Sequence, residues 1–447
     1  MSLGSRRPPG LIIAAPGSGS GKTTVALGLL AALRQRGVSV QPFKVGPDYL
    51  DTSHHERAAG RPSYNLDTWA MSGSLITSIV THAAAGADLA IVEGVMGLFD
   101  GGPDRGLSGS GSTADLAALL GWPVVLVLDV SGQTETAAAL ALGCVRYRSD
   151  VQVAGVILNR VASPRHEALI RPAFDRIGLE IFGALHRSEG MRLPERHLGL
   201  VQAEEQADYA ARIERIAHGV STSVDLDALL AAAWEASGSA QGVTPTVCAV
   251  APPGQRIALA CDAAFSFTYH HVIAGWRVAR AEILPFSPLS DEAPPRDADA
   301  VWLPGGYPEL HAGRIAAAST FMAGLRAMAV RGVPIHGECG GYMVLGRGLE
   351  DADGHRHAMA GLLPAETSFR DRRLHLGYRR AVLQADCALG RKGTRLYGHE
   401  FHYASLISDA GEPLLAPDEE ASAMTSAGSR AGSVTGSFFH VLSVSRA

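Results

Sequence analysis

Lysine is nearly missing from this chain. Of the 39 basic residues among its 447, only Lys22, Lys44 and Lys392 are lysines, and arginine serves everywhere else. Ammonium and guanidinium are not interchangeable at a phosphate, because one is a compact point charge and the other a planar fork. A retained lysine is therefore informative; Lys392 lies in the turn-like "GRKGTR" and is given no role, whereas Lys22 and Lys44 sit in richer surroundings. Cysteine is scarce as well: the five at 144, 248, 261, 339 and 387 are odd in number, scattered and without C-x-x-C spacing. That argues against a disulfide framework or a zinc site and for a reducing cytoplasmic setting. No apolar run approaches the roughly 20 residues of a membrane span. A signal peptide is not expected, because the short run "LIIAA" after Arg6 and Arg7 leads straight into a glycine loop. A net charge of -5 leaves no footprint for nucleic acid.

What is present is an apolar fraction of 47 % with 51 glycines and 24 prolines, the composition of a loop-rich α/β protein. At about one domain per 150 residues the length allows two or three domains, and the pattern favours two. In the first half, apolar strands at "LIIAA", "VSVQPFKV", "ADLAIVEG", "PVVLVLDV" and "VAGVILN" alternate with helical stretches such as "TTVALGLLAALRQRG" and "STADLAALLG". Fully apolar strands alternating with helices predict a parallel sheet covered on both faces. Small residues with Gly and Pro mark a linker at 237–246, dividing a first domain (1–236) from a second (247–447). In the latter, "RIALACD", "ADAVWLPGG" and "VPIHGECGG" predict another α/β unit.

The first strand opens into "APGSGSGKTT". Here Gly17, Ser18, Gly19, Ser20 and Gly21 form a loop whose backbone N–H groups can turn around phosphate oxygens. Lys22 can reach the outer phosphates, Thr23 can ligate magnesium, and Thr24 continues into the helix. The strict pattern wants glycine where the chain has Pro16. Ligands of open α/β sheets sit beyond the carboxyl ends of the strands, where Asp48 and Glu93 can complete a magnesium shell with Thr23, and Lys44 can neutralise phosphate charge. Asp51 and Asp100 rank behind them, and spacing leaves Asp129 a rival to Glu93.

The second half contains "GECGG", a G-x-C-x-G elbow that presents Cys339 as a nucleophile between a strand and a helix. The N–H of Gly340 would face an oxyanion, with a second donor from Gly305 or Gly306 in "LPGGYPEL". The helix start is expected to lower the thiol pKa. A thiol nucleophile needs a proton acceptor among the 17 histidines; His440, on an apolar strand near the C-terminus, is one candidate, and "YGHEFHYAS" offers His399, Glu400 and His402 as competitors, without the spacing of helical zinc ligands. Phosphoryl transfer from ATP would activate a carboxylate as an acyl phosphate, and glutamine hydrolysis on the same chain would supply ammonia locally. Together the two halves read as an amide-forming ligase with its own glutaminase.

The runs "KVGPDYLDTSHH", "NLDTW", "VEGVMGLFDG", "LPERHLGLV", "DAAFSFTYHH", "LPGGYPEL", "ECGGYM" and "GHEFHY" resemble, in order and over nearly the whole chain, the cobyrinic and hydrogenobyrinic acid a,c-diamide synthases of cobalamin biosynthesis. The resemblance implies an N-terminal dethiobiotin-synthetase-like P-loop domain and a C-terminal class I glutamine amidotransferase domain. It implies ATP, Mg2+ and glutamine as co-substrates and cofactor, a corrinoid carboxylic acid as substrate, and a homodimer. It gives ATP and metal to Lys22, Thr23, Lys44, Asp48 and Glu93, adenine to Asn159, and the corrinoid or the order of amidation to Tyr49, Leu50, Asp51 and Asp100. It makes Cys339 the nucleophile and His440 its base. The chain departs from the pattern twice: Leu442 stands where many such glutaminases carry Glu, leaving the third member of the triad open between Glu338 and Glu400, and Phe438 stands where the family usually has Tyr. Two rival readings remain: a partitioning-type ATPase, which leaves the second domain unexplained, and a cobyric acid synthase, which amidates other carboxylates of the ring.

Overall fold

The computed structural model describes residues 8–191, 193, 195–196, 199–200, 208–235, 248–418 and 427–445. The chain forms two compact units, Met1–Thr246 and Val247–Ala447. The expected linker, 237–246, lies outside the described residues, as does part of the run at 193–201.

The first unit is organised by a parallel sheet of seven strands: β1 (Gly10–Ala14), β2 (Val40–Val45), β3 (Tyr64–Leu66), β4 (Leu89–Glu93), β5 (Val124–Asp129), β6 (Val153–Val161) and β7 (Glu180–His186). Their order is β3-β2-β4-β1-β5-β6-β7. Every residue of β1, β2 and β4 is buried, as the unbroken apolar runs require of strands covered on both faces. Five of the seven strands are legible as apolar runs; β3 is only three residues long, and β7 begins on an exposed Glu180. Helix α1 (Lys22–Gln35) turns its apolar side inward, and Gly28 lets it meet the helix Tyr209–Ser223 closely, since a Cβ there would lie 2.4 Å from Val220 Cγ2. The strand order reverses around β1, between β4 and β5, so a crevice opens where β1 ends and the glycine loop begins. Register brings Glu93 opposite both Ile13 of β1 and Lys44 of β2 at that same end.

The second unit has five parallel strands in the order Glu282–Phe286, Arg256–Ala260, Ala300–Leu303, Ile335–Glu338 and Val434–Ser437, continued antiparallel by Ser429–Ala431 and Glu412–Pro413. The expected α/β sheet is therefore present, but it shares the unit with an antiparallel sheet of Leu415–Pro417, His375–Leu383, Arg395–His402 and Phe439–Ser445. In that sheet His399 is the register partner of His440. Its strands mix arginine with apolar residues, so periodicity alone does not reveal it. Phe265, Phe321, Ile335 and Tyr342 build the core beneath the elbow.

The elbow glycines are there for backbone contact. A Cβ on Gly341 would fall 2.0 Å from Leu303 O, and one on Gly337 2.6 Å from Gly341 C, so neither can be accommodated by moving a side chain. Gly341→Ala should destabilise the second unit by about 2–3 kcal/mol. Gly143→Ala, in helix Glu135–Tyr147 with nothing within 4 Å, should stabilise the first by about 0.5–1 kcal/mol. Hydrogen exchange followed on peptides from each unit tests both signs; a Gly341→Ala chain with unchanged exchange in the second unit would contradict the packing argument.

Candidate functional site

The glycine loop adopts a conformation that L-residues with side chains resist: Gly19 has φ 77° and Gly21 φ 88°, the latter at the N-cap of α1. Ser20 Oγ donates to Gly17 O at 2.9 Å, while Ser18 is exposed. Asn159, at the end of β6, donates through Nδ2 to Ser20 O at 2.8 Å and leaves no space for a Cβ on Gly21. Gly19, Gly21, Lys22, Thr23, Thr24 and Asn159, with Arg160, His186 and Arg187, line a cavity of about 650 Å³, within the range of small-ligand sites. Lys22 Nζ donates to Met96 O at 2.6 Å and to Gly17 O at 3.5 Å. Burial, with the positive charge of Lys44 nearby, moves the Lys22 ammonium below its ordinary value. Its positive charge thus stands at the mouth of the loop, held by carbonyls that a phosphate oxygen can replace.

Beside it lies a buried ionic cluster. Glu93 Oε1 accepts from Thr23 Oγ1 at 2.6 Å and from Lys44 Nζ at 3.0 Å; Glu93 Oε2 lies 2.6 Å from His55 Nε2. Lys44 Nζ also meets Asp51 Oδ2 at 2.6 Å and donates to Gly94 O at 3.2 Å. Burial opposes ionisation of Glu93, yet Lys44, His55 and Thr23 together hold it well below the usual carboxylate range. Burial likewise opposes the Lys44 ammonium, and Asp51 and Glu93 overcome it, so Lys44 stays charged. Asp48 caps α2 (Tyr49–Ala59), accepting from Leu50 N at 2.8 Å and Asp51 N at 3.0 Å. Burial and the neighbouring Asp51 push it up to about 6. Tyr49, Leu50 and Asp51 form the buried first turn of that helix.

The acids that spacing left undecided are separated by their contacts. Glu93 holds Thr23; Asp129 instead pairs with Arg160 and accepts from Ser131 N at 2.9 Å. Asp100 is exposed and accepts from Gly97 N at 2.8 Å. His55 was not singled out by the sequence reading, although Asp51 and His55 stand at i, i+4 on α2, a spacing that puts both on one helix face.

In the second unit Cys339 has φ 47°, a left-handed backbone for a residue with a side chain, between strand Ile335–Glu338 and helix Gly340–Leu345. A Cβ on Gly340 would lie 3.1 Å from Gly306 N, so the two proposed oxyanion donors belong to adjoining backbone. A Cβ on Gly305 would lie 2.6 Å from His440 Cε1, which brings the histidine against the same glycine turn. The expected lowering of the thiol pKa is not what the structure gives. Burial pushes the Cys339 thiol up, and the carboxylates of Glu309, Glu338 and Glu400 add to it, outweighing the opposing hydrogen bond of Gly340. The following helix is only six residues long and cannot offset this. Burial, with His399 and His402 alongside, holds His440 well below its ordinary value, so it is a neutral imidazole able to accept a proton.

The competing residues have other occupations. His399 Nε2 lies 2.5 Å from Tyr269 Oη and its ring stacks on His440 with centroids 5.0 Å apart. Glu400 accepts from Arg379 Nε at 2.8 Å. His402 Nδ1 meets Ala404 O at 3.0 Å, and its ring stacks on Phe438 at 3.8 Å, a flat contact to which a phenolic hydroxyl would not contribute.

The Glu93 cluster predicts a pH dependence. Its pKa is depressed on folding, so the unfolded chain binds the extra proton. The stability it contributes is complete above about pH 4.5, the unfolded value, and is lost as pH falls toward the lower folded value. Glu93→Gln should cost the first unit about 2–4 kcal/mol at pH 7, because Lys44 and His55 lose a buried partner, and should flatten that acid-side loss. Urea unfolding at a series of pH values measures both; an unchanged acid slope would assign it to other carboxylates.

Comparison with known proteins bears on both units. Residues 11–201 match the CobQ/CobB/MinD/ParA nucleotide binding domain, and residues 256–447 match the CobB/CobQ-like glutamine amidotransferase domain. Solved structures similar to the chain are distant: PurLQS from Thermotoga maritima aligns with a TM-score of 0.32 at 16 % identity over 42 % of this chain and 87 % of that one. Curated relatives are much nearer. A hydrogenobyrinate a,c-diamide synthase from Rhodobacter capsulatus is 57 % identical, covering 98 % of this chain and 99 % of the relative. Proteins of the same name from Mesorhizobium japonicum and Agrobacterium fabrum are 52 % and 49 % identical, each over 97 % of this chain and 98 % of the relative. With both domains matched and identity of this order along nearly its full length, the chain belongs to the hydrogenobyrinate a,c-diamide synthase family of glutamine-dependent amidoligases.

Proposed function

We propose that this chain amidates the a and c carboxylates of hydrogenobyrinic acid, or of its cobalt-containing counterpart, at the expense of ATP and glutamine. The assignment gives residues 1–236 to the ATP-dependent ligase and 247–447 to the glutaminase. One observation carries it: a single chain joins a phosphate loop backed by the Thr23–Glu93–Lys44 cluster to a glycine-flanked cysteine elbow with a neutral histidine at its side. A partitioning-type ATPase uses only the first of these.

In the first unit the loop from Gly17 to Thr24 would cradle the triphosphate, with Lys22 on its outer oxygens and Asn159 toward the base. Thr23, Glu93 and Asp48 offer the hard oxygen ligands that Mg2+ takes; their fit rests on the 2.6 Å contact between Thr23 and Glu93 and on the half-buried Asp48 carboxylate, which feels the charges of Glu93 and Lys44. When bound, the ion would neutralise phosphate charge. Lys44, kept cationic, would stabilise the charge developing as a substrate carboxylate oxygen attacks the γ-phosphorus and ADP leaves, forming an acyl phosphate. Tyr49, Leu50, Asp51 and Asp100 would border the corrinoid, and ammonia attacking the acyl phosphate would release phosphate and form the amide.

In the second unit His440 takes the Cys339 proton, the sulfur attacks the carboxamide carbon of glutamine, and the N–H groups of Gly306 and Gly340 receive the oxyanion. The nitrogen departs as ammonia with that proton, and water hydrolyses the thioester to glutamate and the free thiol. Because burial raises the thiol, proton removal must accompany glutamine binding, so hydrolysis without substrate-like contacts is suppressed.

Cys339→Ala should abolish glutamine-driven amidation while high ammonium still supports it. Lys22→Arg should abolish amidation with either nitrogen source, since the planar fork cannot enter the loop as the ammonium does. Product mass distinguishes the choice of carboxylates: a gain of two amides fits the a,c reading, and four fits a cobyric acid synthase. Loss of both nitrogen sources in Cys339→Ala, or near-normal turnover of Lys22→Arg, would overturn the respective assignment.

A further inference from the structure

His440 is oriented from an unexpected side. Leu442, two residues on and therefore on the same strand face, is fully buried and apolar. It cannot accept a hydrogen bond from the imidazole. A carboxylate does stand beside the ring, but it comes from the nucleophile's own strand: Glu338 Oε2 lies 3.9 Å from His440 Nδ1.

We infer that Glu338 is the positioning residue of the glutaminase, holding His440 in the tautomer whose Nε2 takes the Cys339 proton. The inference rests on Cys339 and His440 being the glutaminase pair. Three observations support it. The other carboxylate oxygen, Oε1, accepts from Val441 N at 3.1 Å, so one side chain grips the backbone next to His440 while its second oxygen faces the ring. The grip follows from the fold, because Glu338 is in parallel register with Ser437, whose chain runs on through Phe438 into the strand bearing His440. And the rival carboxylate, Glu400, is engaged by Arg379 in a buried ion pair.

The chemistry needs an acceptor at this point. If Nδ1–H donates to a carboxylate, the lone pair is left on Nε2; the proton then passes from Cys339 Sγ to Nε2 and from there to the nitrogen that leaves as ammonia. A carboxylate at Nδ1 also stabilises the imidazolium formed between those transfers, as in other triads. The 3.9 Å separation is of the kind that shortens when substrate arrives. Burial pushes Glu338 up to about 8, partly offset by the Val441 hydrogen bond. The titratable groups around it are Cys339 next in sequence, His440 on the facing strand, and His399 and Glu400 on the strand beyond.

Glu338→Gln tests this, since its amide oxygen can still accept from Val441 N. Glutaminase kcat should fall about 10²- to 10⁴-fold with KM for glutamine nearly unchanged, and Glu338→Asp should recover part of the loss. Ammonium-driven amidation should stay within about twofold of the parent chain in both. The parent kcat should rise with pH through a limb near 8, where Glu338 ionises, and that limb should vanish in Glu338→Gln. A glutamine kcat within threefold of the parent and an unaltered pH profile, with Cys339→Ala and His440→Ala inactive on glutamine, would overturn the role of Glu338 alone. So would loss of the ammonium reaction in both Glu338 variants, which would make the residue structural. Glutaminase activity surviving in Cys339→Ala or His440→Ala would instead overturn the underlying pair and this inference with it.

Discussion

The first unit depends on a carboxylate that cannot be left alone. Glu93 ends β4 at the centre of the sheet, 1 % exposed, where an unpaired charge would cost several kcal/mol. Its two oxygens are shared among Thr23 of the glycine loop, Lys44 of β2 and His55 of α2, so one group ties the phosphate loop to two neighbouring elements. Because Lys44 also meets Asp51, the network closes on the turn that Asp48 caps. Anything that changes charge at the loop is therefore felt at α2, where the corrinoid contacts are proposed. The retention of lysine at 44 has a physical reason here, because a compact ammonium can serve Glu93, Asp51 and Gly94 O at once without the in-plane geometry a guanidinium demands.

The second unit manages its buried polar groups in the opposite way. Apart from the Arg379–Glu400 ion pair, it suppresses charge around the elbow: Cys339 and Glu338 are pushed up by burial, and His399, His402 and His440 are pushed down. The imidazole rings stack in this setting, His399 on His440 and His402 on Phe438. The left-handed backbone at Cys339 is held by Gly341 pressed against Leu303 O, by Gly337 pressed against Gly341, and by a 2.8 Å bond from Cys339 N to Ser437 O. Strain at a nucleophile persists only where the surroundings over-determine it, and here those surroundings are backbone.

Much of this was legible in the sequence, for local reasons. A glycine loop between a buried strand and a helix, and a cysteine between glycines after another strand, are written in consecutive residues, and the lysine scarcity singled out Lys22 and Lys44. What was not legible depends on distance and burial. Glu93 and Asp129 both end apolar strands, and only their contacts, Thr23 for one and Arg160 for the other, tell them apart. Glu338 meets Val441 across 103 positions of chain, through strand register that no spacing rule encodes. The thiol was expected to be acidified by a helix, but the helix has six residues and the site is buried, so desolvation wins. His55 could have been found, since it stands one helical turn from Asp51; the missing step was to treat α2 as part of the site.

The contrast between the units has a chemical logic. A site proposed to receive triphosphate and metal must already carry charge, since the ligands would be ions and the cost of assembling counter-charges is met by folding; Lys44 and Glu93 are ionised without either. A site proposed to make a reactive thiolate has the reverse need. If Cys339 were ionised at rest, it would be open to oxidation and to any passing electrophile, and glutamine would be hydrolysed whether or not an acceptor waited. On the proposed mechanism, keeping thiol and imidazole neutral places the charge-separating step after glutamine has entered and supplied its own dipoles to the oxyanion donors. On that reading, burial raises the barrier to ionisation in the empty elbow, so the thiolate would form only with glutamine in place.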